Sequence, residues 1–570
     1  MRIHTIRVFI GVIFSLLVAG LFHLAVVQGN AYRALSKKNC IRLLPQMGSR
    51  GKILDRQGNV IVNNELSYDV MILPQESADL DKTFTALSKV VSLSPGELRN
   101  RFRQNYVNSS VPVCVIQNID LKKAIALEEL KFDCNGILIQ PHPLRHYPYG
   151  KLASHLLGYL SEIDRWRLTK LEDYGYKTKD IVGFGGVEEK YDYYLRQEDG
   201  GTSVEVDRRG RFVRVVGFEP PRSGKDIQLT IDVKIQRLAE SSLADKKGGV
   251  IIMDPSTGAI IAMASTPDFE PSIFVTQDND TIGQLFSNPD APFFDRCISG
   301  VYPPGSVFKV IAAAAGLELR KINVSSTVVC EGGLTIGGQR FDCSGVHGQQ
   351  NIIDAIAHSC NVFFYRLGFL VGPQSLYEWG MKFGLAKVSG IDVPYETSGF
   401  LPNPLWKKLY RFKHWFDGDT ANFSIGQGDV LVTPLQMARM MAVFANGGKL
   451  VTPYVVESVE GKDISLYQRR IATLPLKKST IDLVREGLRN VVVYPQGTAH
   501  VLSDLAVAVA GKTGTAQAPP GFSHAWFVGF FPFQDPKFVI CTFLEHGGPG
   551  HYASMVAREI IEGMQKEGLL

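Results

Sequence analysis

The stretch Tyr302-Pro303-Pro304-Gly305-Ser306-Val307-Phe308-Lys309-Val310-Ile311-Ala312-Ala313-Ala314-Ala315-Gly316 decides how the chain reads. Two prolines and a glycine stop the element before it, and the alanine-rich apolar run after Ser306 predicts a helix over 307–318, buried on nearly every side. Ser306 and Lys309 stand three residues apart and share a helix face. A lysine there needs a partner or a lowered pKa, because enclosing an uncompensated ammonium is costly. A hydroxyl beside an amine able to take its proton is a nucleophile with its base in place. The same residues also fit a helix cap and a snorkelling lysine, so the pair alone leaves structure and catalysis both open.

Two motifs downstream weigh on the choice. Ser359-Cys360-Asn361 opens an apolar helical stretch within a helix expected over 351–368, and Lys512-Thr513-Gly514-Thr515 sits on a strand near the end of the chain. Ser359 and Asn361 are expected to face a cleft with Lys309, and Lys512 to bind a carboxylate or steady the hydroxyls through charge-assisted bonds. Gly514 is expected to remove a side chain where a substrate backbone approaches. Each motif is common by chance; their order after a serine–lysine pair is the informative feature.

Working outward, 570 residues suggest two or three domains, and 45% hydrophobic with 21% charged residues is a globular composition. The net charge of +5 is modest and dispersed, without a nucleic-acid footprint. Val8 to Val27 holds 20 residues without Asp, Glu, Lys or Arg, long enough as a helix to cross a bilayer. Arg2 and Arg7 precede it, which fits a cytoplasmic amino terminus, although Arg33, Lys37, Lys38 and Arg42 on the other flank weaken the charge bias. A cleaved signal peptide is the alternative; its apolar core is usually shorter, and the expectation is one uncleaved anchor.

Between the anchor and about residue 225, helices are expected near 79–91, 94–106 and 120–130, with a strand at Val111 to Ile116 and no catalytic cluster. After it, Gly249 to Asp254 and Ala259 to Ala264 flank Pro255-Ser256-Thr257-Gly258, a hairpin signal. Helices are expected at 374–382 and 434–445, strands at 504–510, 513–517, 523–531 and 537–544, and a last helix from Tyr552 to Met564. The expected architecture is an anchor over 1–28, a non-catalytic α+β region over 29–224, and an α/β domain over 225–570 with a mostly antiparallel sheet between helical layers. Such a sheet offers an edge strand to a peptide-like ligand.

Taken together, the chain resembles the class B, monofunctional penicillin-binding proteins, and within them the penicillin-binding protein 2 branch of the cell-elongation machinery. The resemblance rests on the three motifs, the anchor, Arg50-Gly51-Lys52-Ile53-Leu54-Asp55-Arg56, Gly186-Val187-Glu188, Leu229-Thr230-Ile231-Asp232, Ser424-Ile425-Gly426-Gln427-Gly428 and His524-Ala525-Trp526-Phe527-Val528-Gly529. It implies a fold shared with serine β-lactamases, a pedestal before the catalytic domain, and a peptidoglycan D,D-transpeptidase in the periplasm. It implies Ser306 as acylated nucleophile, Lys309 as its base, Ser359 as proton relay and Asn361 as a bond to the substrate amide. Lys512, Thr513 and Thr515 would hold the donor carboxylate, with Gly514 between them, and the N–H groups of Ser306 and Thr515 would form the oxyanion hole. β-Lactam antibiotics would acylate Ser306. Implied partners are stem peptides and lipid-linked glycan strands, a rod-shape-type membrane glycan polymerase, and an elongation-complex scaffold. A D,D-carboxypeptidase or serine β-lactamase, and a non-catalytic penicillin sensor or scaffold, are the other functions compatible with the motifs.

Cys330, Cys343, His347 and Cys360 supply three thiols and an imidazole, enough for a tetrahedral zinc, with Asp342 as a substitute ligand for Cys343. Some relatives of the resembled branch hold a structural zinc at this place. A Cys330–Cys343 disulfide, or three free thiols, fits the same residues. No cofactor is expected for the chemistry itself. The basic, aromatic segment Trp406 to Phe416 is either a ligand-facing surface for glycan strands or membrane headgroups, or a solvated helix face.

Overall fold

The computed structural model describes residues 2–570 except 33–40, 78, 109–110, 208–211 and 466–468. Cys40 and the flanking Arg33, Lys37 and Lys38 therefore lie outside the described residues. The chain forms two compact units. The first comprises Met1–Arg50, Asn64–Leu144 and Arg196–Gly224; the second comprises Gly51–Asn63, Arg145–Leu195 and Lys225–Leu570.

In the first unit the apolar window Ile3–Val27 is helical over 25 residues, none of it buried in protein. At 1.5 Å per residue it exceeds the ~30 Å of a bilayer's hydrocarbon core. Strand Gly200–Val206 pairs antiparallel with Ile41–Gln46 on one side and Phe212–Glu219 on the other. A separate small core gathers Val70, Ile72, Phe84, Leu87, Leu98, Phe102, Val113 and Leu127. Its helices Leu80–Ser88 and Pro95–Asn105 begin at Asp79 and Ser94, whose side chains accept from backbone N–H groups of the first turn.

The second unit is built on a five-stranded sheet. Its strands are β1 (Gly248–Met253), β2 (Ile260–Thr266), β3 (Ala510–Ala516), β4 (His524–Phe531) and β5 (Phe538–Leu544), in the order β2-β1-β5-β4-β3, every pair antiparallel. β1 and β4 are buried at every position, as expected of strands covered on both faces. Helix Val233–Ser242 and the last helix His551–Lys566 cover one side, and Pro434–Ala445 packs on β1, β4 and β5. β3 is an edge strand, paired along one side only, with β4.

Two expectations change. The helix expected over 351–368 is two helices, α2 (Ile352–Ala357) and α3 (Asn361–Val371), following α1 (Lys309–Glu318). The break falls at Ser359, whose φ of +56° no continuing helix accepts. Residues 504–510 form no strand before Ala510, because their carbonyls are taken elsewhere. Ala508 O accepts from Phe533 N–H at 2.8 Å, and Val509 O from Arg489 Nη1 at 2.6 Å.

Buried polar bonds tie the segment Arg145–Leu195 of the second unit to the segment Gly51–Asn63. Arg145 donates from Nε to Glu188 Oε1 at 2.8 Å and from Nη1 to Gly51 O at 2.6 Å. Both ion-paired side chains are essentially enclosed, at 1% and 0% exposure. Gly51 is required because a Cβ there would lie 2.0 Å from Lys225 O. Removing one partner of an enclosed pair strands the other charge, a loss of about 3–5 kcal/mol. Arg145→Ala is therefore expected to lower the thermal transition of the protein by calorimetry, whereas Arg222→Ala, at an ion pair 79% and 72% exposed, shifts it little.

Candidate active site

The turn Gly305–Phe308 carries Ser306 and runs into α1. It is fixed from three directions. Gly305 N–H donates to Gly426 O at 2.9 Å, Trp526 Nε1 donates to Pro303 O at 3.0 Å, and the turn lies against β3. That approach explains Gly514: a Cβ there would meet Pro304 O at 2.7 Å and Val307 Cγ2 at 3.0 Å. The sequence reading gave this space to a substrate backbone; in the fold it belongs to the protein's own serine-bearing turn.

Lys309 follows on α1 with no exposed surface. Its Nζ donates to Ser359 O at 2.7 Å, Asn361 Oδ1 at 2.6 Å and Ser359 Oγ at 3.3 Å. An ammonium has three protons, and all three are used. Burial nevertheless wins over these bonds and lowers the Lys309 pKa to about 8, partly opposed by the thiols of Cys343 and Cys360. The left-handed backbone at Ser359 turns both its carbonyl and its hydroxyl toward this amine. Such a conformation is costly for a residue with a Cβ and persists where surrounding bonds hold it.

Lys512 on β3 is also fully enclosed, donating to Thr513 O at 3.1 Å. Burial, and then the positive charge of Lys309, hold its pKa well below the ordinary lysine value. Thr513 and Thr515, two apart on the strand, line the cleft together with Ser306, Ser359 and Asn361. The cleft has a volume of about 960 Å³. Lys309 and Lys512 stand behind its wall, outside the lining.

Residues beyond the three motifs complete the site. Thr513 Oγ1 donates to Thr498 Oγ1 at 2.5 Å, Thr515 Oγ1 accepts from Gly550 N–H at 2.9 Å, and Gln427 Nε2 donates to Thr515 O at 3.3 Å. Asn361 Nδ2 donates to Asp342 O at 3.1 Å, which ties the second motif to the hairpin strands Gly333–Ile336 and Gln339–Asp342. Gln427 had a signal in the glycine-flanked run 424–428; Thr498 and Gly550 had none.

The Cys/His cluster forms beside the second motif. The ligand atoms of Cys330, Cys343, His347 and Cys360 all lie within 4.8 Å of one another. His347 Nδ1 is 3.5 Å from the sulfurs of both Cys330 and Cys343, and the Cys343 and Cys360 sulfurs are 4.0 Å apart. A tetrahedral zinc with ~2.3 Å bonds to sulfur needs ligand separations of about 3.8 Å, so the donor set fits. Cys343 is drawn toward the thiolate by its bond to Cys360 and by backbone N–H groups, including Asn361 N at 3.1 Å. Cys330 and Cys343 do not form the alternative disulfide.

The penicillin-binding protein transpeptidase domain matches residues 248–562, more than half the chain, and the penicillin-binding protein dimerisation domain matches 45–229. The chain belongs to the penicillin-binding protein transpeptidase family. Peptidoglycan D,D-transpeptidase MrdA of Salmonella typhimurium is 31% identical, the match spanning 97% of this chain and 93% of that protein. The Escherichia coli MrdA transpeptidase is 30% identical across 97% of this chain and 92% of its own length. Among solved structures, penicillin-binding protein PBP2 from Helicobacter pylori superposes with a TM-score of 0.81 at 27% identity, over 93% of this chain and all of that one.

In this transpeptidase the glycine at 514 sets how near β3 comes to the turn that carries Ser306. Displacing a reacting group by about 1 Å costs on the order of 10²-fold in rate. Gly514→Ala is expected to slow penicillin acylation by about that factor and to lower the thermal transition, because the backbone of the turn must shift, as read by stopped-flow acylation and calorimetry.

Proposed function

We propose that this class B penicillin-binding protein cross-links peptidoglycan through an acyl-enzyme on Ser306, with Lys309 as the base. The observation that carries the reading is the enclosed Lys309 amine, lowered to about 8, one helical turn from a cleft-lining serine. When Nζ gives up a proton one of its three donations must lapse, and the 3.3 Å bond to Ser359 Oγ is the longest. The freed lone pair can take the Ser306 proton as Oγ attacks the terminal peptide bond of a D-alanyl-D-alanine stem. Ser359, in contact with Nζ, then passes a proton to the departing D-alanine amine. Attack by an amine of a neighbouring stem resolves the ester into a cross-link and frees Ser306.

Asn361 would bond the substrate amide, and Thr513 and Thr515, with the Lys512 charge behind them, would hold the donor carboxylate. Thr515 O faces Gln427 at the cleft, and in a strand a residue's N–H points to the same edge as its carbonyl. This supports Thr515 N–H, with Ser306 N–H, as donors to the developing oxyanion. Gly514 serves the same geometry by close approach.

For the cluster we propose zinc held by Cys330, Cys343, His347 and Cys360. When bound it supplies a structural cross-link, while Cys343 itself receives the Asn361 N–H and braces the second motif.

The wider setting follows the relatives. We propose an anchor over 1–28, a pedestal over 29–224 and a catalytic domain from 225, with the single apolar helix in the cytoplasmic membrane and catalysis in the periplasm. Helicobacter pylori PBP2 is solved in complex with MreC, and another solved relative is a peptidoglycan synthase complex that coordinates polymerization and crosslinking. By analogy the partners of this chain are an MreC-like elongation scaffold and a rod-shape-type glycan polymerase supplying strands from lipid-linked precursors.

A base acts only when unprotonated, so acylation is expected to rise with pH through about 8 and then level off. Ser306→Ala is expected to abolish the covalent adduct with labelled penicillin in intact-mass measurement; an adduct that persists contradicts the reading. Metal analysis is expected to find about one zinc per chain, and Cys360→Ala to lower zinc content and slow acylation about tenfold. Folded, reduced protein without zinc contradicts the metal assignment.

A further inference from the structure

Beside the cleft lies a surface that the acyl-transfer chemistry does not use. The last turn of helix α4 (Pro404–Tyr410) and the residues that follow it form the run Lys408-Leu409-Tyr410-Arg411-Phe412-Lys413-His414, exposed at every position. Tyr410 is 72% and Phe412 88% exposed. Phe412 also holds a left-handed φ of +53°, uncommon for a bulky side chain. Lys408 and Lys413 have no carboxylate partner among the described residues.

This run is anchored. Asn403 caps α4 by accepting from Trp406 N–H at 2.8 Å, Trp406 packs on Phe400 at 4.7 Å between ring centroids, and Arg411 pairs with Asp429 at 3.5 Å. Lys407 bonds Asp419, and Asp419 and Phe416 line the catalytic cleft. A cationic, aromatic shelf is thus fastened to the cleft wall and continuous with it.

We propose that residues 408–414 bind the polysaccharide strand whose stem peptide occupies the cleft. The proposal rests on the transpeptidase reading and extends it from the stem to the sugar backbone. A peptide spans at most ~3.5 Å per residue, so a stem of a few residues keeps its glycan within about 20 Å of Ser306. The glycan therefore stays close to the cleft, and the shelf is continuous with the cleft wall. Sugar rings present C–H faces that pack on exposed aromatic rings, and Lys408 and Lys413 offer donors to strand hydroxyls and carboxylates. The shelf would set which strands are cross-linked without touching the reacting atoms.

The test uses the full-length protein in detergent and, as probe, glycan strands freed of stem peptides by amidase digestion, whose lactyl groups end in carboxylates. Two variants are compared with the wild type, Tyr410→Ser/Phe412→Ser and Lys408→Gln/Lys413→Gln. Wild-type protein is expected to bind the strands in co-sedimentation. The aromatic variant is expected to bind at least tenfold more weakly, and the lysine variant to lose the salt-dependent part of the binding. Both are expected to acylate with penicillin within twofold of wild type, which reports that the fold and cleft are intact. Wild type that ignores the strands, or variants that bind them undiminished, would overturn the proposal. So would a shelf whose substitution leaves strand binding unchanged but abolishes binding to phosphatidylglycerol–phosphatidylethanolamine vesicles, since its occupant would then be a membrane. Failure of wild-type acylation would instead refute the active-site reading.

Discussion

An ammonium enclosed on every side is the constraint around which the catalytic unit is arranged. Lys309 has no exposed surface, so its protons must be met by the protein, and the second motif meets them. This fixes the left-handed turn at Ser359, the break between α2 and α3, and the direction of Asn361. The bonds offset part of the cost of burial, but the pKa still falls, so an amine able to give up its proton near neutral pH stands beside a hydroxyl. Lys512, enclosed nearby, is held well below the ordinary lysine value by its burial and then by the Lys309 charge. Two lysines in one low-dielectric region cannot both hold protons cheaply, and an anionic substrate group is the natural relief.

The second constraint is close approach. Edge strand β3 and the serine-bearing turn are neighbours because Gly305 and Gly514 leave room for each other's backbone. The cleft side of β3 keeps backbone groups for a ligand, with Thr515 O meanwhile accepting from Gln427. The Cys/His cluster adjoins the other wall, since the cysteine between Ser359 and Asn361 is one of its members and Cys343 Sγ accepts from Asn361 N–H. The Ser306 turn, Lys309 and the strand edge are each held by a different device.

Much of this was legible in the chain. The apolar run after Ser306 reads as a helix buried on nearly every side, which made Lys309 conspicuous, and the turn-flanked apolar runs gave the hairpin and the closing strands. The match covers the fold class and the transpeptidase family. What stayed hidden depended on long-range geometry. A helical reading of 351–368 could not see that Lys309 draws Ser359 into a left-handed conformation. The alternating Leu505-Ala506-Val507-Ala508 looks like a strand, yet its neighbouring carbonyls go to an arginine and a loop N–H. Helix Lys478–Val493 was passed over although Ile481, Val484, Leu488 and Val491 mark one buried face. Thr498 and Gly550 carry no local signature, because they act only through the strand they meet.

A crystal structure of the penicilloyl adduct tests the central claim most directly. The account predicts an ester on Ser306 Oγ, its carbonyl oxygen about 3 Å from the N–H groups of Ser306 and Thr515, and Lys309 Nζ still enclosed beside Ser359 and Asn361. An ester on another residue, or a Lys309 side chain swung out to solvent with the ester intact, would contradict it.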